Sequence, residues 1–325
     1  MDNNHFAIVM AGGVGARFWP SSTPDYPKQF IDMLGNGSSL LQTTFSRLEK
    51  IVPSENIYVV TQLRYQKIIL HQLGDKLNEE QMIFEPHRRN TAPCILLASL
   101  KIQKRNPNAK IIVSPSDHSI QNEVIFKNDM EFALESAEKE NLITFGIVPT
   151  FPATGFGYVS VKEDENRLKT VLEFTEKPDE NKAKSLIESG NYYWNSGIFV
   201  WSVNAVIKGF EEYVPKLFNL FIAGFSKLNT TDEKKFISEN YPLAQNISID
   251  YALLEKYNLI HLIPASFEWN DLGSWKSIYD LNTKDAANNV VINTKVYLNQ
   301  SSNNLIKSFP NKKIVISGLS NFIIV

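Results

Sequence analysis

One cysteine, Cys94, is all the sequence holds, so no internal disulfide can form and a reducing compartment suits the chain. It lies in the apolar run 92–100, where a small buried thiol on a helix is the expected reading rather than a nucleophile. Charge of neither sign prevails: 33 Lys and Arg against 35 Asp and Glu leave −2. Without a basic stripe, nucleic acid is not expected as a partner. No apolar run approaches the roughly 20 residues a membrane helix requires, and the polar start carries no charged-then-apolar leader. No membrane association and a cytoplasmic location are the expectations.

What is present is a globular composition. With 325 residues and 43% apolar content, the chain has material for one large domain and a smaller one. Across 1–150, short apolar runs at 6–10, 57–61, 82–85, 111–115 and 142–147 alternate with periodic stretches at 40–51, 65–73, 91–105 and 126–139. Apolar residues spaced three and four apart mark the latter as helices. This alternation predicts an α/β fold with a doubly wound, mainly parallel, Rossmann-like sheet. Such sheets bind ligands beyond the carboxyl ends of their strands. Over 151–285 the texture changes, with strands expected at 158–161, 171–173 and 198–201 followed by helices, a plausible second half of the same domain. Residues 286–325 carry short apolar runs at 290–292, 296–298, 305–306, 314–316 and 322–325 between Asn-rich turns. They predict a small C-terminal β unit that stops inside an apolar run, as an incomplete coil or a shortened chain would.

The first strand ends in Gly12, Gly13 and Gly15, followed by Arg17 and, after Pro27, Lys28. Glycines let bare N–H groups approach a ligand, and two cations at the same strand end suit a polyphosphate. A tight turn into a helix is the plainer alternative. A dinucleotide fingerprint fails because Phe18 stands where its third glycine belongs and Trp19-Pro20 ends any helix. A phosphate-binding Walker loop fails because no Gly-Lys-Ser/Thr follows.

The pattern Gly-Gly-x-Gly-x-Arg-x-Trp-Pro over 12–20, with Pro-Lys-Gln-Phe over 27–30, resembles the signature of the sugar nucleotidyltransferases, specifically the mannose-1-phosphate guanylyltransferases. Phe18 replaces the leucine of many relatives. The resemblance implies the nucleotide-diphospho-sugar transferase fold, with a partial left-handed β-helix at the C-terminus, although the hexapeptide repeat is not clean here. It implies GTP and mannose 1-phosphate as substrates, GDP-mannose and pyrophosphate as products, and Mg²⁺ as cofactor. A homodimer is expected. Alternatives are a hexose- or heptose-1-phosphate nucleotidyltransferase of other base or sugar, and a non-catalytic regulatory paralogue, which should have lost the cations or aspartates.

Five further segments fill out the candidate site. Asp117, in Ser-Pro-Ser-Asp-His after the strand 111–113, can hold a hard cation through oxygen or simply cap a turn. The resemblance pairs it with Asp271 as the Mg²⁺ ligands and leaves His118 as a hydrogen-bonding neighbour, since an ionised phosphate needs no base. Asn90 and Thr91 suit a helix cap, while the family sets this loop, from Glu85, against the base; Arg88 and Arg89 are surface charges or phosphate contacts. Ala11 and Ser116 complete the nucleotide set with Gly12, Gly13 and Gly15. Glu176-Lys177-Pro178 reads alone as an exposed charged turn. The resemblance gives Lys177 the sugar phosphate, with Gly155, Glu173 and Asn195 around the sugar, and makes Arg17, Lys28 and Lys177 the catalytic cations. Ser-Ile-Asp-Tyr over 248–251 matches another element of that family, while the plainer reading makes Asp250 a cap for a helix at 251–256, and it is left outside the core site. Trp194, Trp201 and Trp275 are read as core and cleft wall. Lys28 is taken to be an exposed loop cation whose removal spares the fold.

Overall fold

Strand β1 (His5–Met10) is buried on both faces: Ala7, Ile8 and Val9 are all fully covered. Successive strand residues point to opposite sides, so helices must cover each side of the sheet. The computed structural model describes every residue except Val14, Lys139 and 309–311, so the end of the expected helix 126–139 and the centre of the glycine motif lie outside the described residues. In chain order β1 is followed by α1 (Leu40–Leu48), β2 (Ile57–Gln62), α2 (Gln66–Leu73), β3 (Met82–Glu85), α3 (Thr91–Arg105) and β4 (Lys110–Pro115). Then come β5 (Ser119–Gln121), α4 (Glu123–Ser136), β6 (Leu142–Ile147), β7 (Gly157–Val161), β8 (Lys169–Glu176), α5 (Glu180–Glu188) and β9 (Tyr192–Ser202). Helices α6 (Val203–Tyr213), α7 (Pro215–Ile222) and α8 (Glu233–Asn240), strands β10 (Ile260–Pro264) and β11 (Glu268–Asn270), and α9 (Trp275–Leu281) lead to the short strands of the C-terminal stretch.

The chain divides into two compact units. One comprises Met1–Gly12, Phe45–Ser116 and Ile120–Trp269. Its nine-stranded sheet runs β3-β2-β1-β4-β9-β6-β10-β8-β7. The strands β3, β2, β1 and β4 are parallel, as are β6 and β10. The expectation of a mainly parallel sheet needs correction beyond β4. Strand β9 enters antiparallel between β4 and β6, and β8 runs antiparallel to both β7 and β10. The cause is connectivity: β7 and β8 are joined by a short turn, which permits only antiparallel pairing. Strand β9, with 11 residues, runs seven longer than the apolar cluster at 198–201 suggests, because its first half is amphipathic.

Helix limits follow their caps. Asn90, at φ +64°, accepts from the Thr91 N–H and starts α3, and Asn122 accepts from the Ile125 N–H and starts α4 ahead of the expected residue 126. Helix α1 stops at Leu48 rather than at 51, since Lys50 and Ile51 donate three residues back, to Arg47 and Leu48. Helices α3 and α6 share one core with Phe6, Ile8, Ile111 and Val113, in which each fully buried Phe, Ile or Leu contributes about 1.5–3 kcal/mol. Cys94 is buried there and donates to the Thr91 carbonyl, in keeping with a structural thiol. Trp194 and Trp201 are core residues, as expected.

The other unit comprises Gly13–Thr44, Asp117–Ser119 and Asn270–Val325. Its apolar centre is Phe18, Met33, Leu40, Leu272, Ile278, Val290, Ile292 and Leu305, with Trp275 edge-on to Phe18 at 5.1 Å between centroids. Strands β12 (Val290–Ile292), β14 (Leu305–Lys307) and β16 (Ile323–Ile324) pair in parallel, and so do β13 (Lys295–Asn299) and β15 (Lys313–Ser317). Partners such as Asn304 and Phe322 stand 18 residues apart. The Asn-rich corners are explained by backbone: Asn288, Asn293, Asn303 and Asn321 all have positive φ, which asparagine tolerates best after glycine. Buried Asn289 and Asn304 hydrogen-bond to each other and to the carbonyls of Ser301 and Leu319, satisfying the turn interiors.

Candidate active site

The glycine motif is closed by sterics. Gly15 has φ +64°, and a Cβ there would lie 2.5 Å from the Cβ of Lys28, so only glycine fits. The Gly13 carbonyl accepts from the Gln29 amide at 2.9 Å, tying the bend to the single helical turn Lys28–Phe30. That turn aims Lys28 inward. Its ammonium donates to Asp117 Oδ2 at 3.0 Å and to the carbonyls of Asp271 and Leu272 at 3.0 and 3.1 Å. The lysine is not an exposed loop cation: its side chain is only 6% exposed, against 33% for Asp117. Three oxygens from distant segments converge on it, and that is why it can be buried. Burial acts to raise the Asp117 carboxyl, but the Lys28 ammonium and then His118 prevail and hold it below its ordinary value.

The Asp117 carboxylate and the main chain of the Asp271 turn therefore meet at one lysine. Leu272, fully buried at φ +47°, takes the left-handed conformation that turns two successive carbonyls to the ammonium. The Asp271 carboxylate accepts from the Gly273 N–H at 3.1 Å. Among the described residues no group of three His, Cys, Asp or Glu side chains is assembled for a metal. Two hard carboxylates fit a cation that takes its remaining ligands from phosphate and water, as Mg²⁺ does. Arg17 is exposed on the turn Ala16–Phe18 and forms no ion pair among the described residues.

A second cluster lies in the sheet unit. Lys177 is 58% exposed, has φ +46°, and pairs with Glu176, whose side chain is buried beside it. Gly157 makes room for that acid, since a Cβ there would come within 2.6 Å of Glu176 Oε2. Asn195 donates from Nδ2 to Asp250 Oδ1 at 3.0 Å and accepts at Oδ1 from Thr144 and Gly197 at 2.8 and 3.2 Å. Burial first, then the Glu176 charge, raises the Asp250 carboxyl to about 6. Asp250 does not cap a helix at 251–256: the helical turn is Asp250–Leu254, and the carboxylate turns to Asn195 instead. Glu173 stands apart from this cluster, exposed and accepting from Tyr192 at 2.9 Å. Gly155 is open, with nothing within 4 Å of where a Cβ would stand.

Glu85 ends β3 and is buried, accepting from the Tyr241 hydroxyl. Burial raises it to about 7 despite that bond and despite Arg88. Gly12 lies against it, 3.4 Å from Oε2 to a hypothetical Cβ. Ala11 donates to the Val60 carbonyl and accepts from Thr61, and Ser116 donates to the Met10 carbonyl, so these strand ends are fixed by backbone bonds. Thr91 accepts from Ile249, and Arg89 donates to the Pro242 carbonyl, an internal tie rather than a surface charge. Sequence reasoning missed Glu176, Thr144 and Tyr241 and undervalued Asp250. The Glu-Lys-Pro triplet signalled the first and the Ser-Ile-Asp-Tyr element the last, but nothing local signalled Thr144 or Tyr241.

The chain matches the family described as nucleotidyl transferase over residues 6–288. It belongs to that family. This nucleotidyl transferase is 36% identical over 87% of its length to a mannose-1-phosphate guanylyltransferase of Salmonella montevideo, covering 61% of that protein. It is 36% identical over 98% of its length to another protein of that name from Salmonella typhimurium, covering 67%. The chain thus spans about three fifths to two thirds of these curated relatives. The crystal structure of a Thermus thermophilus protein named mannose-1-phosphate geranyltransferase superposes with a TM-score of 0.88 at 26% identity, covering 98% of this chain and 91% of that one. That likeness fits the α/β nucleotide-sugar transferase fold, and no helix of the described residues is long and apolar enough to cross a membrane.

Proposed function

We propose that this nucleotidyl transferase joins GTP to mannose 1-phosphate, giving GDP-mannose and pyrophosphate. The names of its relatives favour these substrates. The observation that carries the reading is the buried Lys28 ammonium, shared by Asp117 and the Asp271 turn beside a bend that only glycine permits. A phosphate oxygen of the sugar phosphate attacks the α-phosphorus, and the bond from that phosphorus to the bridging oxygen breaks as pyrophosphate leaves. The attacking oxygen is already ionised, so no base is needed and His118 serves as a neighbour of Asp117.

Positioning and charge neutralisation are what the chain contributes. Gly12, Gly13 and Gly15 admit the triphosphate to the backbone, and Arg17 and Lys28 offset the charge of the departing pyrophosphate. Glu85 accepts from the donor edge of guanine, with Asn90 and Thr91 fixing its loop. Lys177 holds the incoming phosphate, while Asn195 meets a sugar hydroxyl near Gly155 and Glu176. Asp117 and Asp271 would hold Mg²⁺, which supplies charge neutralisation at the nucleotide phosphates when bound. The single buried Cys94 favours a cytoplasmic setting, and the 15- and 18-residue steps of the parallel strands favour a β-helix, left-handed as the family resemblance implies. Action as a homodimer completes the reading.

The test is pyrophosphate release with each of the four common NTPs against mannose 1-phosphate and glucose 1-phosphate. GTP with mannose 1-phosphate should be the fastest pair. Release from no pair overturns the reading, and preference for another base or sugar reassigns the substrate.

A further inference from the structure

Asn195 has almost no freedom left. Its Oδ1 is used twice, by the Thr144 hydroxyl at 2.8 Å and the Gly197 N–H at 3.2 Å. A carbonyl oxygen has two lone pairs, so this acceptor is saturated. One Nδ2–H goes to Asp250 at 3.0 Å. The orientation cannot be reversed, because a backbone N–H only donates and an ionised carboxylate only accepts. Thr144 is itself fully buried on β6 and also reaches the Ile198 carbonyl at 3.3 Å. Of the described residues none takes the second Nδ2–H. Lys177 and Glu176 belong to the same neighbourhood, since their charges act on Asp250.

We infer that Asp250 and Thr144 are positioning residues that lock the Asn195 amide so that it offers a ligand one N–H and no acceptor, making it a reader of a single hydroxyl oxygen on the sugar. The inference rests on the proposed reaction. The residue that touches sugar is Asn195; Asp250 and Thr144 act through it. Releasing either leaves the amide held by fewer bonds, free to tilt its remaining N–H off the sugar hydroxyl, which costs affinity for the sugar phosphate and leaves the phosphates untouched.

The test is steady-state kinetics of the whole chain with GTP, mannose 1-phosphate and its singly deoxygenated analogues. Thr144→Val and Asp250→Ala should each raise the sugar KM about tenfold, the worth of one hydrogen bond. Turnover and the GTP KM should stay within about twofold. Asp250→Asn, whose side-chain oxygen still accepts, should stay within about threefold of the parent. One deoxygenated analogue should lose about tenfold with the parent and much less with Thr144→Val, as a coupled pair requires. An unchanged sugar KM in both variants, or an equal rise in the GTP KM, overturns the inference while leaving the reaction standing. If Asp250→Ala fails to fold, the shape-preserving Thr144→Val decides. If the parent releases no pyrophosphate from any pair, the proposed reaction falls. Calorimetric binding of mannose 1-phosphate then decides the inference: about tenfold weaker binding by Thr144→Val supports it, and equal or no binding by the parent overturns it.

Discussion

Two lysine-centred clusters in this chain solve opposite problems. Around Lys28 a single ammonium, 6% exposed, serves one carboxylate and two carbonyls, so each of its three N–H donors already has an acceptor. Around Lys177 a cation 58% exposed faces Glu176 and Asp250, and negative charge is in excess. The titration of the acids follows that balance. Asp117 is held below its ordinary value, whereas Asp250 is driven up to about 6. Burial works in the same direction on both, so the local charge count decides the sign. The first cluster is assembled before any ligand arrives, and the second gains from a ligand that brings hydrogen-bond donors.

Replacing Lys28 breaks the comparison most severely. Lys28→Met leaves the Asp117 carboxylate and two carbonyls without their shared donor, a loss of about 2–3 kcal/mol, moderated because Asp117 is one-third exposed. Urea unfolding should show it, and adding Asp117→Asn should recover part of the loss. A double variant no more stable than the single one would mean that the carbonyls, not the carboxylate, are what Lys28 satisfies. Pyrophosphate release should fall in both variants.

Glu85 sharpens the comparison by presenting burial without a paired cation. Its carboxyl is raised from 4.5 to about 7. A raised folded-state value means that its contribution is fully present below about pH 4.5 and is lost as pH climbs through about 7. Glu85→Gln does not titrate, so it should gain on the parent between pH 5 and pH 8, by up to about 3 kcal/mol. Denaturation curves that stay parallel over that range would refute it.

How much of this was legible follows from distance along the chain. The strands β1 to β4 and the Asn90 cap were readable, because an apolar run and an Asn before a periodic stretch are local signals. The short strands of the C-terminal unit were equally plain, although their parallel pairing 15 and 18 residues apart was not. Burial of Lys28 was invisible, since its acceptors at Asp271 and Leu272 lie 243 and 244 residues away. Asp250 misled for the same reason: an acid before a helical pattern looks like a cap, and its partner Asn195 is 55 residues back. Glu173 and Glu176 are three apart on β8, hence on opposite faces, and only the sheet tells which one joins Lys177.

A smaller effect isolates the second cluster. Asp250 is raised from 3.8 to about 6, so its contribution is present below about pH 4 and lost as pH rises through about 6. Asp250→Asn should therefore exceed the parent at pH 8 by about 1–2 kcal/mol, a figure reduced because the residue is partly exposed. Asp117 should show the reverse, with stability lost as pH falls through its depressed value. Melting temperatures of the parent, Asp250→Asn and Asp117→Asn, followed from pH 8 down past the ordinary aspartate value of 3.8, separate the two clusters by the sign of their slopes.

The smallest effect on the fold belongs to Arg17. It is exposed and forms no ion pair among the described residues, so Arg17→Ala should unfold within about 0.5 kcal/mol of the parent. Its effect on turnover should nevertheless be large, about a hundredfold, if its charge meets the departing pyrophosphate. That separation of stability from activity is what Lys28, locked into its own acceptors, cannot show. Pyrophosphate release and urea unfolding on the same preparation measure both quantities. An Arg17→Ala protein with parental turnover would leave charge neutralisation to the buried cation, and the glycine bend would then need only one lysine to do its work.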